Sequence, residues 1–349
     1  ALLVTAGMSQ IALAGDSVYV NTSSLRYRTS AQIKDNNIAG NLSYGQKLER
    51  VGTSGQWTMI LLNGKKYYVS SAYVTSKKPA SAGAVQTTSQ TAAGAQTSGG
   101  TAIALSSNYK YANYSKINSG TATLYRSTAS NKKNKVVCVN AGHGTNGGGS
   151  VKTQCHPDGS AKVTGGTTGA GATSAVAVSS GMTFADGTAE SKVTLAMAKV
   201  LKTKLLNAGY DVLMIRESDD VQLDNIARTV IANNNADCHI ALHWDSTSSN
   251  KGAFFMSVPS NATYRAMEPV ASHWKQHNQL GESLISGLKS AGVKIYSKGS
   301  MEMDLTQTSY STIPSVDIEL GDKASDHSGA TLETLANGLL AGVNTFFGQ

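Results

Sequence analysis

Apolar and polar positions follow two rhythms along this chain. Between residues 16 and about 76 they alternate in short runs: "DSVYVN", "NIAGNL", "QKLERVG" and "QWTMILLNGKKYYVSSAYV". Alternation with a period of two marks half-buried strands. Asn63-Gly64 separates two such runs, and this dipeptide accepts the positive φ of a two-residue hairpin turn. The first rhythm predicts a small all-β, barrel-like module.

From Lys135 onward strand and helix patterns alternate. "KVVCVNAG", "YDVLMIR", "ADCHIALHWD", "GAFFMSV" and "IPSVDIELG" read as strands. Residues 189–208 place Val193, Met197, Val200, Leu201, Leu205 and Ala208 on one helical face, with Gly209 as the stop. "LDNIARTVIANNN", 271–291 and 330–347 are further helices. Strands alternating with helices predict an α/β domain: a mostly parallel twisted sheet covered by helices on both faces. Ligand sites in such sheets lie beyond the carboxyl ends of the strands.

Between the two rhythms, "KKPASAGAVQTTSQTAAGAQTSGGTA" is too poor in apolar residues to bury a core and reads as a tether. Residues 105–134 carry several tyrosines among polar residues and are a lead-in with no assigned element. The expected organisation is 1–15, 16–76, 77–134 and 135–349. The first segment, "ALLVTAGMSQIALA", ends in Ala12-Leu13-Ala14, the small-x-small form of a signal-peptidase site, so secretion is expected. No other apolar run approaches the ~18 residues of a membrane span.

A net charge of +8 suits an anionic partner. The basic residues are scattered and lack interleaved aromatics, so nucleic acid is the weaker choice. Cys138, Cys155 and Cys238 are too few for a disulfide framework. Cys138 and Cys238 lie in apolar runs and read as buried thiols, and Cys155 is left open to pairing.

The chemistry gathers on the strand ends. His143 follows the first strand of the α/β region, His243 ends "CHIALHWD" and Glu319 ends "SVDIELG", so all three fall on one rim. Glu190 opens the long helix near that rim. Two imidazoles and a carboxylate form a His₂Glu zinc site with one position open for water, and a second carboxylate supplies a general base. The glycines around His143 allow close approach of backbone and substrate. "HWKQH" places His273 and His277 at i and i+4, but Trp274 stands where a zincin protease needs Glu, so a solvated helix face is expected. "MEMD" offers Glu302 and Asp304 in a loop before the last strand, where both are candidate substrate contacts.

Residues 135–349 resemble the zinc-dependent N-acetylmuramoyl-L-alanine amidases of the Amidase_3 family. The resemblance rests on "VVCVNAGHGTNGG", on the block from "AESKVTLAMAKV" through "IRES" to "HIALHWDS", and on "IPSVDIELG". It implies His143, Glu190 and His243 as zinc ligands and Glu319 as catalytic base. The implied substrate is the amide between N-acetylmuramic acid and L-alanine in peptidoglycan. The competing expectations are a zinc peptidase acting on stem peptides and a wall-binding protein without activity. Residues 16–76 resemble a bacterial SH3 domain through "LRYR", the Gly45 turn, "GQWTMILLNGKKYYV" and "SSAYV". This implies a wall-binding module, with Trp57 a candidate contact; the chain is separately expected to be a secreted monomer.

Three departures stand out. The family's Asp-Pro is replaced by Asn140-Ala141, which would weaken metal binding if that Asp orients a ligand. Asn140 is also a candidate substrate contact. Trp244-Asp245 replaces a small pair after the second His. Residues 150–186 form a long insertion expected to shape the groove, and within its "CHPDG" His156 and Asp158 are minor candidate ligands.

Overall fold

A computed structural model describes residues 16–20, 24–32, 37–43, 45–78 and 99–349. They belong to two compact units, one within 1–91 and one within 92–349. The expected signal segment 1–15 and most of the tether, 79–98, lie outside the described residues.

In the first unit β1 (Asp16–Val20), β2 (Ser24–Arg28), β3 (Ile38–Ser43), β4 (Lys47–Ser54), β5 (Trp57–Leu62), β6 (Lys65–Ser70) and β7 (Val74–Thr75) form one sheet. Its order is β3-β2-β6-β5-β4-β1-β7, with every pairing antiparallel. Asn63 and Gly64, at φ 51° and 74°, turn β5 into β6 with Leu62 opposite Lys65. Val18, Val20, Leu25, Leu48, Ile60 and Val69 fill the inside. Trp57 is half-buried at the start of β5, opposite Ser70.

The second unit starts before Lys135. β8 (Thr101–Ala104) and β9 (Thr121–Tyr125) precede β10 (Val136–Ala141), β11 (Lys152–Gln154), β12 (Ser174–Val176), α1 (Glu190–Asn207), β13 (Asp211–Met214) and α2 (Asn225–Asn235). Then come β14 (Cys238–Asp245), β15 (Ala253–Ser257), α3 (Ala262–Ala266), α4 (Val270–Ser290), β16 (Ile295–Glu302), α5 (Thr306–Tyr310), β17 (Ser315–Asp322) and α6 (Gly329–Phe347). The main sheet has eight strands in the order β16-β15-β17-β14-β10-β13-β9-β8. Its centre, β17-β14-β10-β13, is parallel. β15 runs antiparallel to β17, and β9 runs antiparallel to both β13 and β8, so the sheet is mixed.

Alternation decides the two faces. Val137, Val139, Ile240, Leu242, Val316 and Ile318 pack against α1, α4 and α6 in the larger core. On the other face Cys138 and Leu213 pack against Ala227 and Ile231 of α2. On that face β10, β14 and β17 turn polar toward the rim, with Asn140, His243, Asp317 and Glu319. All three cysteines are free and buried.

Two expectations need correction here. The boundary at Lys135 cuts off strands of the same sheet. The lead-in is tied down by Asp224, the N-cap of α2, which accepts from Ser115 Oγ and the Lys116 and Ile117 amides at 3.0, 2.6 and 2.9 Å. Tyr111 and Tyr114 also pack edge-on to Tyr310 of α5. The helix carrying His273 and His277 is not solvated throughout. His277 is buried and its Nδ1 accepts the Ser315 amide at 3.0 Å, and burial lowers its pKa to about 3.

Candidate metal centre

β10 leaves the sheet at Ala141 and turns sharply. His143 stands at φ 62°, a left-handed backbone uncommon for a residue with a side chain. Two buried arginines hold this turn. Arg216 donates to the carbonyls of Ala141 and Gly142 at 3.0 and 2.9 Å. Arg228 donates to those of His143 and Ala141 at 2.7 and 3.2 Å. Burial lowers the guanidinium pKa of Arg216 to about 10 and, with the adjacent Arg216 charge, that of Arg228 to about 9. Both remain cationic at neutral pH. Gly142 is required by space: a Cβ there would stand 2.2 Å from His243 Cε1.

Glu190, the first residue of α1, meets both histidines. Its Oε1 lies 2.9 Å from His143 Nε2 and 3.2 Å from His243 Nδ1, and those two nitrogens are 3.1 Å apart. Tetrahedral zinc with ligand bonds near 2.0–2.2 Å separates its donors by about 3.3 Å, so one ion fits this set. Among the described residues these three form a group able to hold a metal. The neighbours orient each donor. His143 Nδ1 donates to the Ser179 carbonyl at 2.9 Å, which fixes the tautomer and leaves the Nε2 lone pair facing the centre. Glu190 accepts the Met182 amide on Oε2 and the Trp244 amide on Oε1, at 2.9 and 3.0 Å.

The charges are tightly coupled. Burial alone would raise Glu190, but hydrogen bonds from the two histidines outweigh it and hold the carboxyl far below its usual range. Burial lowers His143. Burial also opposes the charge on His243, yet the bond to Glu190 and the carboxylates of Glu190, Asp317 and Glu319 lift it to about 9. A divalent cation placed among these donors would take over the charge that the protonated His243 carries here.

Glu319 lies opposite His243 in the β14–β17 register. One of its oxygens is buried without a hydrogen-bond partner, and burial, reinforced by nearby carboxylates, raises its pKa to about 8. The triad and Glu319 line a cavity of about 500 Å³ whose far wall is the insertion, including Lys162, Thr167, Ser180 and Met182. The insertion therefore shapes the cavity, as expected, and also supplies the orienting Ser179 and Met182 contacts.

Other candidates fall elsewhere. Asn140 lines the cavity but bonds Arg228 and His239, both at 3.1 Å, and no metal-binding side chain. Asn140 reaches the His143 turn only through Arg228, while the His143 ring itself is oriented by the Ser179 carbonyl. Glu302 ends β16 rather than lying in a loop, and accepts from the Ser260 amide and hydroxyl. Asp304 is wholly buried and does not face the cavity. It accepts from His156, Lys162 and the Val163 and Thr164 amides, pinning the insertion to the segment after β16. His156 is thus bound away from the triad, and Asp158 caps the Ser160 amide. Asp317 and the two arginines were not read as site residues from sequence. Asp317 was findable, because it sits two places before Glu319 on the same strand face.

The fold and this site define an α/β protein with a His-Glu-His cluster that could hold a metal ion at the carboxyl rim of its sheet. Residues 137–336 match the family model described as N-acetylmuramoyl-L-alanine amidase, and the chain belongs to that family, Amidase_3. The N-acetylmuramyl-L-alanine amidase of Mycobacterium smegmatis has a similar fold, with a TM-score of 0.51 at 18% identity over 63% of this chain and 99% of that one. The N-acetylmuramoyl-L-alanine amidase of Clostridium difficile 630 aligns with a TM-score of 0.43 at 16% identity over 62% of this chain and 97% of that one. No curated protein matches the chain.

Proposed function

We propose that this peptidoglycan amidase is zinc-dependent, with His143, Glu190 and His243 holding the ion and Glu319 acting as general base. The observation that carries the reading is the pairing of a compact His-Glu-His donor set with an unpartnered carboxylate oxygen in one cavity. Zinc held there supplies Lewis acidity, which activates water near neutral pH and polarises a carbonyl. Glu319 takes a proton from the attacking water and returns it to the scissile nitrogen. Burial raises its pKa, which favours delivery of that proton to the leaving nitrogen. The arginine pair keeps the His143 turn rigid, so no reorganisation is needed during the reaction.

The antiparallel first unit is read as an SH3-like wall-binding module, joined by a tether, on a secreted monomer. Its role would be to raise the effective concentration of the enzyme on an insoluble polymer. The test is digestion of purified peptidoglycan followed by amino-terminal analysis. New L-alanine amino termini on intact glycan support the amidase. New termini inside the stem peptide would instead identify a peptidase.

A further inference from the structure

The cavity holds a second carboxylate with no partner. Asp317 lines it, and its Oδ1 is buried without a hydrogen bond. In β17 it faces the same side as Glu319, about 7 Å deeper along the strand. Its register neighbour on β14 is Ala241, whose small side chain leaves that part of the floor open. Two cationic side chains line the cavity, and both are engaged elsewhere. Lys162 bonds Asp304, and Arg228 bonds backbone carbonyls and Asn140.

Charge counting shows what such a group can serve. A divalent ion, two neutral imidazoles, Glu190 and Glu319 sum to zero. Asp317 adds one negative charge, and His243, the cation that acts on it in the metal-free protein, is neutral when it holds an ion. A carboxylate is repelled by the carbonyl oxygen of an amide and attracted by its N–H. The scissile amide has a single N–H, and that nitrogen becomes an ammonium when it leaves.

We propose that Asp317 is the leaving-group-binding residue, accepting a hydrogen bond from the scissile nitrogen and holding the α-ammonium of the released peptide. This rests on the amidase reading of the same site. Water oxygen bonds the carbonyl carbon, and one water proton passes to Glu319. The C–N bond breaks with its electron pair going to nitrogen, which takes the proton back from Glu319. The new carboxylic acid gives its proton to the free amine, and the resulting ammonium is paired by Asp317.

The test uses the full-length protein, with L-alanyl-D-glutamate and its N-acetyl form as product inhibitors. Wild type should prefer the free amine by about tenfold, the scale of one charged hydrogen bond. Asp317→Asn should erase that preference and lower kcat about tenfold while zinc content is unchanged, and Asp317→Glu should restore part of the preference. Equal inhibition of wild type by both peptides overturns the assignment, as does an Asp317→Asn enzyme with wild-type kcat and preference. Loss of zinc in Asp317→Asn also overturns it, because the residue then serves the metal. If wild type releases no L-alanine amino termini, the amidase reading itself fails and takes this assignment with it.

Discussion

Replacing Glu319 with Gln removes a carboxyl whose ordinary pKa of 4.5 is lifted to about 8, chiefly by burial. A group that binds its proton more tightly when folded stabilises the fold at low pH. Its contribution is fully present below pH 4.5 and is lost as pH rises through about 8. At about 1.4 kcal/mol per pKa unit, discounted for partial solvent access, the effect is about 3 kcal/mol. His243 and Glu319 titrate as a pair, so the comparison is between whole stability curves rather than single groups. The assay is urea unfolding of chelator-treated wild type and Glu319→Gln between pH 5 and pH 9. Wild type should lose markedly more stability than the variant as pH rises. Parallel curves would refute the claim that Glu319 is a desolvated carboxyl, and with it the pKa argument for the base.

Further outcomes follow from the geometry. Gly142→Ala pushes a methyl into His243, so zinc affinity should fall at least tenfold in a competition titration with a chromogenic chelator. Arg228→Met leaves the His143 carbonyl without its 2.7 Å donor, and should cost about 2–4 kcal/mol in urea unfolding and weaken zinc retention together. Asp304→Ala leaves Lys162 and His156 buried without their partner. It should cost about 3–5 kcal/mol and open the insertion to limited proteolysis within 150–173.

Local pattern carried the fold where partners are close in sequence. The period of α1 and the Asn63-Gly64 turn were legible because a helix face and a two-residue hairpin are set by adjacent residues. The rim site was legible because strand ends in a parallel sheet converge whatever fills the loops. Non-local partners defeated the reading elsewhere. His277 looked solvated because the amide it accepts belongs to Ser315, 38 residues away. Asp304 looked like a cleft residue because its donors come from an insertion about 140 residues earlier. β8, β9 and β16 are short or polar strands whose burial depends on the sheet they join.

On the proposed mechanism one zinc ion and Glu319 together perform the hydrolysis. The most direct measurement is metal content beside peptidoglycan digestion for wild type, His143→Ala and Glu319→Gln. Wild type should hold one zinc per chain and be active, His143→Ala should lose both, and Glu319→Gln should keep zinc without activity. Full activity in zinc-free wild type, or in Glu319→Gln, would contradict it.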